Sequence, residues 1–466
     1  MRAFVAVHAG AGSHHPSRAG AYARLLETAA REALATLTSP ADGRGAVSRS
    51  MAAASRAVQV LEASSLTNAG VAGANLTRTG TVECDAAVMA AGAAVRAGVP
   101  AFGAVAAVPM THPRAADADA DTVVVESPVA AAVALAAAAA ERPRGPAGLV
   151  PPESLAGDAV HEFARAAGVH CVPLSEARAL VTQRQRDRYD LHMSIWRAAA
   201  AAEESEDDHG QIPHPDASAC DGNGAHGAGD AGDDVLFDTV GAVVVDSSME
   251  LCAAVSSGGI SLKHCGRVGE AGVYGAGVWA QAPRGPAHPG IAISVSGTGE
   301  HIIRTMLAAT VARCLTEVEA RLNANASSGS DFASDSKSGG EDDGDTTADH
   351  LRRIVTDHVL ESPLIATSDT DRDVGFILLR VDEIPGAAEH PADKPVGPDL
   401  TSGDSRDRGA KRRKRVHPRM HQEIWWAHTT KTLCLAYMSE TDAVPVFHMS
   451  IRDTNGAPVC VGGAAI

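Results

Sequence analysis

Asp238-Thr239 stands where a segment rich in Gly, His and Asp, from about Glu203 to Asp234, meets Val240-Gly241-Ala242-Val243-Val244-Val245. That second run, of small and β-branched residues, reads as a buried strand. A threonine hydroxyl is a weak nucleophile unless a base lies beside it, and a free α-amine on the same residue is such a base. An α-amine titrates at roughly 7.7 to 8.0, close enough to neutrality to take and return a proton. Thr239 gains that amine only when the Asp238-Thr239 bond is cut. An isolated Asp-Thr simply begins a strand, so the chemistry rests on the segments C-terminal to it.

From Leu251 a second apolar strand is reached through a short turn at Asp246 to Met249, and it ends in Ser256-Ser257-Gly258-Gly259. In a hairpin its end returns beside the start of the first strand, so Ser256 or Ser257 approaches Thr239. Gly266-Arg267-Val268-Gly269-Glu270 comes next. A planar arginine between glycines suits bidentate capture of a carboxylate where backbone must come close. Ile291 to Val295 is a strand that stops at Ser296-Gly297-Thr298-Gly299 and opens a helix near Glu300. Backbone N–H groups at such a turn can face a developing oxyanion. These are the parts of an acyl-transfer site.

Taken in order, Asp238-Thr239-Val240-Gly241-Ala242-Val243, Val255-Ser256-Ser257-Gly258-Gly259, Gly266-Arg267-Val268-Gly269 and Ser296-Gly297-Thr298-Gly299-Glu300 resemble the signature of the type 2 asparaginase group of N-terminal-nucleophile hydrolases. Within it the sequence is most similar to the threonine aspartase (taspase) branch. The likeness runs from His8-Ala9-Gly10-Ala11-Gly12 to Trp426-Ala427-His428-Thr429-Thr430 and Tyr437-Met438-Ser439. It implies an α/β (α+β) fold, a four-layer αββα sandwich, in a chain that activates itself by cutting Asp238-Thr239. It also implies a homodimer of cut αβ units. Thr239 is then nucleophile and base, Arg267 holds a substrate aspartate carboxylate, and Ser257 bonds to the nucleophile. Ser296 and Gly297 line the oxyanion region. Asn68, in Thr67-Asn68-Ala69-Gly70, orients the nucleophile, and its loop is a place for a monovalent ion. No other cofactor and no metal are expected.

The implied activity is a threonine endopeptidase cutting proteins after aspartate. The alternative is a small-molecule L-asparaginase or isoaspartyl peptidase. Relatives of that kind usually carry threonine at the Ser257 position, which favours the endopeptidase, and an acidic residue at the Glu270 position to bind a substrate α-amine, which favours the small molecule. A catalytically inactive scaffold is the third reading.

The elements that must position these residues are legible in part. At 466 residues, 45% hydrophobic and 21% charged, the chain can bury a large core, built mostly of Ala, Val, Leu and Gly because only 3% is aromatic. We expect one domain in two segments, 1–238 and 239–466, with an activation loop at about 203–237 and low-complexity insertions at about 323–349 and 384–420. The net charge of -17 argues against direct nucleic-acid binding. The first residues pass straight into a motif, so no signal peptide is expected, and Val129 to Ala140 is too short to span a membrane. The 8 cysteines form no Cys-x-x-Cys pair, as in a reduced compartment.

Ala3 to Val7 reads as a strand ending at a tight glycine turn, His8 to Gly12. Helices are expected at about Ala19 to Leu37, Val47 to Ser64, Pro128 to Glu141, Pro152 to Ala167, Glu176 to Ala202 and Glu300 to Leu322. The fifth carries Arg184, Arg186 and Arg188, a charged face or a basic element for a partner. Lys411-Arg412-Arg413-Lys414-Arg415 reads as a nuclear-import signal or an anion-binding patch, which would place the protein in nucleus and cytoplasm with an import receptor as partner.

Overall fold

The strand after Thr239 forms because Val240–Val245 combines β-branched and small residues that can be buried on both faces, and all six are buried. In the computed structural model it lies inside an eight-stranded sheet. The order is Val446–Ile451, Thr432–Ser439, Phe4–Gly12, Val240–Val245, Leu251–Ser257, Glu83–Ala91, Ala101–Pro109, Ser154–Ala156. Every neighbour pair is antiparallel except the last, which is parallel. The structure describes residues 2–39, 47–92, 99–111, 122–141, 148–206, 239–327, 346–365, 371–384, 419–453 and 456–466. Asp238, Lys411 to Arg415 and most of the expected activation loop and insertions lie outside them.

A five-stranded antiparallel sheet, in the order Cys460–Ala465, Arg419–His428, Val374–Ile384, Gly290–Gly297, Val278–Gln281, shares a core with the first. Period-two alternation assigns the faces. Phe4, Ala6, Val243, Val245 and Ala253 meet Ala280, Ala292, Ile377 and Leu379 of the second sheet. Val5, Val7, Val240, Ala242 and Val244 instead meet Leu26, Ala30, Ala54, Val58 and Ala132 from helices Ala19–Thr38, Arg49–Glu62 and Pro128–Glu141. On the far face of the second sheet, Ile291, Ile293, Phe376 and Leu378 pack on Leu307, Val311 and Leu351, from helices Leu307–Ser327 and Thr347–Val355. Fully burying each Val, Leu or Ile contributes roughly 1.5 to 3 kcal/mol.

Several elements depart from expectation. His8 to Gly12 does not turn: the strand runs through Gly12, and the extra length is absorbed by a register shift between His8 and Ala11, with Gly10 at φ 102°. The helix expected over Pro152 to Ala167 is a short strand, Ser154–Ala156, followed by helix Ala159–Ala166. That expected over Glu176 to Ala202 is two, Leu174–Ala179 and Gln183–Glu206, the second running into the segment read as activation loop. The helix at Glu300 breaks at left-handed Met306 into Gly299–Thr305 and Leu307–Ser327. Helices also extend into the expected insertion at its ends, to Ser327 and from Thr347. No helix among the described residues is long and apolar enough to cross a membrane.

Candidate active site

Thr239 sits at the mouth of the hairpin, and the hairpin sets its first neighbour. Asp246 Oδ1 accepts from the backbone N–H of Ser248 and of Glu250, at 2.9 Å each, closing the turn tightly enough to fix register. Val240 is therefore paired with Ser256, and Ser257 lies across from Thr239. The two hydroxyl oxygens are 3.0 Å apart, and Thr239 is 1% exposed. Thr239 Oγ1 also donates to Glu270 Oε1 at 2.7 Å. A hydroxyl has one proton, so with an ionised Glu270 the Ser257 hydroxyl is the donor towards Thr239. Ser257 Oγ in turn accepts from Gly259 N–H at 3.0 Å.

Glu270 opens a single 3₁₀ turn, Glu270–Gly272, and is buried. Burial pushes its carboxyl above the ordinary carboxylate value, against the pull of the Thr239 hydrogen bond and of Arg267. The Gly266–Gly269 loop that leads to it is pinned from the strand Glu83–Ala91. Glu83 Oε2 accepts from Gly266 N–H at 2.7 Å and Asp85 Oδ2 from Gly269 N–H at 2.9 Å, while Lys263 Nζ donates to the Glu83 carbonyl at 2.7 Å. Two acidic residues at i and i+2 on one strand face thus hold both ends of the arginine loop.

Arg267 donates from Nε and Nη2 to the two carboxylate oxygens of Glu300, at 2.9 and 2.7 Å. Its Nη1 is buried with no hydrogen-bond partner among the described residues. Burial pulls the guanidinium pKa down, but Glu300, Glu270 and Asp85 more than offset that and raise it. Gly299 makes the assembly possible: a Cβ there would lie 2.6 Å from both Arg267 Nη2 and Glu270 Oε2. Thr239, Ser257, Gly259, Ile260, Arg267, Glu270, Gly297 and Gly299 line one narrow cleft.

Two residues given roles by the resemblance are placed elsewhere. Ser296 Oγ is fully buried and accepts from Ala11 N–H at 3.0 Å, between the sheets and away from the cleft that Gly297 lines. The Thr298 N–H is taken by the Asp373 carbonyl at 2.7 Å and faces no oxyanion. Asn68 makes no side-chain hydrogen bond to Thr239 among the described residues. Its Nδ2 and that of Asn75 each donate to the Gly259 carbonyl at 2.9 Å, and its own backbone carbonyl accepts from Gly258 N–H at 2.7 Å. Asn68 therefore holds the turn that holds Ser257. Glu83, Asp85 and Glu300 were not singled out from sequence; Glu-x-Asp at strand spacing was the available signal for the first two.

Among the described residues no cluster of three His, Cys, Asp or Glu side chains could hold a metal ion. Fold and site together describe a mixed α/β protein that places a chain-internal threonine between a serine and a carboxylate. Residues 149–347 match the family described as Asparaginase (Asparaginase_2), and the matched segment carries Thr239, Ser257, Arg267, Glu270 and Glu300. A stretch of 70 residues is 47% identical to a plant-type L-asparaginase of Pyrobaculum calidifontis, covering 15% of this chain and 21% of that protein. A stretch of 74 residues is 43% identical to an isoaspartyl peptidase of Salmonella typhimurium, covering 16% and 22%. The chain spans about a fifth of the length of the curated relatives it matches.

Proposed function

We propose that this chain is a self-activated hydrolase of the asparaginase class, built as a four-layer αββα sandwich, that cuts its own Asp238-Thr239 bond and then hydrolyses an amide next to an aspartyl carboxylate. Thr239 is the nucleophile and, once cut free, its α-amine is the base. Arg267 holds the carboxylate of the substrate through Nη1. The observation that carries the reading is Thr239, buried at the cleft wall within hydrogen-bond reach of Ser257 and Glu270.

Two substrate classes fit this chemistry. The isoaspartyl peptidase and L-asparaginase reading is favoured by the names of the relatives and by Arg267 and Glu270 lining one cleft, a cation for a carboxylate beside an anion for an α-ammonium. The second reading, a threonine endopeptidase of the taspase kind cutting after aspartate, is favoured by the serine hydroxyl of Ser257 on the nucleophile.

Intact-mass analysis of wild type and Thr239→Ala tests activation. Wild type is expected as two fragments meeting at Asp238-Thr239, and the variant as a folded, uncut chain. Matured enzyme assayed on β-aspartyl dipeptide, L-asparagine and a peptide with an internal aspartate then separates the classes. Efficient cutting of Thr239→Ala would remove the nucleophile assignment and the reading with it.

A further inference from the structure

Before the chain is cut, Thr239 has no free α-amine, so the base that serves turnover does not yet exist. Something else must take the Oγ1 proton if Thr239 is to attack the carbonyl that precedes it. The group hydrogen-bonded to that oxygen as an acceptor is Glu270, 2.7 Å away, buried and held in a short turn whose entry Asp85 anchors through Gly269. Ser257, on the other side at 3.0 Å, is itself held by Gly259 N–H and is no base at neutral pH.

We propose that Glu270 is the general base of self-cleavage, a role in activation that rests on the self-activating function proposed for this chain. The Glu270 carboxylate accepts the Thr239 hydroxyl proton as Oγ1 bonds to the carbonyl carbon of residue 238. The carbon–nitrogen bond to Thr239 then breaks, and Glu270 returns the proton to the departing nitrogen, leaving an ester on Oγ1 and a free α-amine. Water adds to the ester, its oxygen stays on residue 238 as a carboxylate, and the Thr239 hydroxyl is regenerated. The proton borrowed by Glu270 is returned within the cycle, so nothing beyond one water is consumed. Burial, which pushes the Glu270 carboxyl up from its ordinary value, makes the carboxylate a stronger base than an exposed one.

Glu270 faces the Thr239 hydroxyl in the uncut chain; once the bond breaks, the same residue also carries a new amine. A glutamate reaching Thr239 from the Gly269 turn thus primes the site before the amine that replaces it exists.

The test is a cell-free synthesis of the full chain with mass or gel analysis of cutting over time, between pH 5 and 9. Removal of a general base costs roughly a hundredfold to ten-thousandfold in rate, so Glu270→Gln is expected to slow cutting at Asp238-Thr239 by at least about a hundredfold. It should also abolish the acid limb of the wild-type pH profile. Glu270→Asp keeps the carboxylate and should retain measurable cutting, and formate should restore part of the rate to Glu270→Ala. Thermal melting against uncut Thr239→Ala checks that the variants are folded. If Glu270→Gln cuts at the wild-type rate with the same pH profile, or if neither Glu270→Asp nor formate restores any rate, the proposal fails while the activation scheme stands. A wild type that never cuts at Thr239 overturns both.

Discussion

Glu300 grips Arg267 with both carboxylate oxygens along the Nε–Nη2 edge, and Nη1 is left buried without a hydrogen-bond partner among the described residues, on the arginine that lines the cleft. An unpaired guanidinium N–H out of water carries a desolvation penalty that a carboxylate bound there would remove. Under the proposed function, Glu300 decides which edge of the arginine is left for substrate.

Arg267→Lys is therefore expected to fail twice. An ammonium has three donors but no planar fork, so it cannot grip both Glu300 oxygens along one edge and aim a fixed further donor from the other. Losing one charge-assisted contact costs roughly 1.5 to 3 kcal/mol, about ten- to a hundredfold in kcat/KM on an aspartyl substrate. Glu300 is half exposed, so Glu300→Gln should cost less, roughly threefold to tenfold and mainly in KM. Steady-state kinetics on β-aspartyl dipeptide, L-asparagine and an internal-aspartate peptide check both. A lysine variant with unchanged kcat/KM would take Arg267 out of substrate binding.

The hairpin was legible because it is local: a short Asp-headed turn joins two apolar runs, and that alone brings Ser257 to Thr239. The arginine loop was legible as a motif, yet what holds it was not, since Glu83 reaches Gly266 across 183 positions of sequence. Ser296 could have been placed from parity. Ile291, Ile293 and Val295 alternate onto the helix-covered face, so Ala292, Ser294 and Ser296 must face the other sheet, where Ser294 meets His8 and Ser296 meets Ala11. The contact of Glu270 with Thr239 depends on how far a 3₁₀ turn projects, which spacing along the chain does not encode.

His8 makes stability depend on pH. It pairs in register with Gly241 in the Thr239 strand, and its Nε2 is 2.9 Å from Ser294 Oγ, whose hydroxyl donates to the Ala254 carbonyl. Nε2 must therefore carry the proton, while Nδ1 accepts from Gly10 N–H. Burial holds the His8 pKa down at about 3 from 6.5. Between those values the unfolded chain binds a proton that the folded chain refuses, so this contribution is present above pH 6.5 and lost as pH falls towards 3, on the order of 5 kcal/mol over the range. Glu62, pushed up to about 7 by burial, works in the opposite sense between 7 and 4.5. Comparing wild type with His8→Gln cancels Glu62. The gap between their urea unfolding free energies should narrow steadily from about pH 7 to about pH 4, and a constant gap would mean that His8 is not held neutral.

Ser257 offers the sharpest separation of alignment from binding. Its hydroxyl joins Thr239 Oγ1 to the Gly259 N–H, and Asn68 and Asn75 secure the same turn through the Gly259 carbonyl. Ser257→Ala leaves the turn held from its carbonyl side, so the variant should fold and the Arg267 side of the cleft should be unaltered. What it loses is the hydrogen bond that fixes the nucleophile's rotamer, together with the acceptor for a buried N–H, a cost of roughly 1 to 3 kcal/mol. If that contact matters only as attack begins, kcat falls about tenfold to a hundredfold while KM changes little. Ser257→Thr keeps the hydroxyl and should recover most of the rate. The measurement is kcat and KM per site matured at Thr239, with the matured fraction counted by mass so that slower activation is not mistaken for slower turnover. A loss confined to KM would instead make Ser257 a substrate contact and leave the alignment of Thr239 to Glu270 alone.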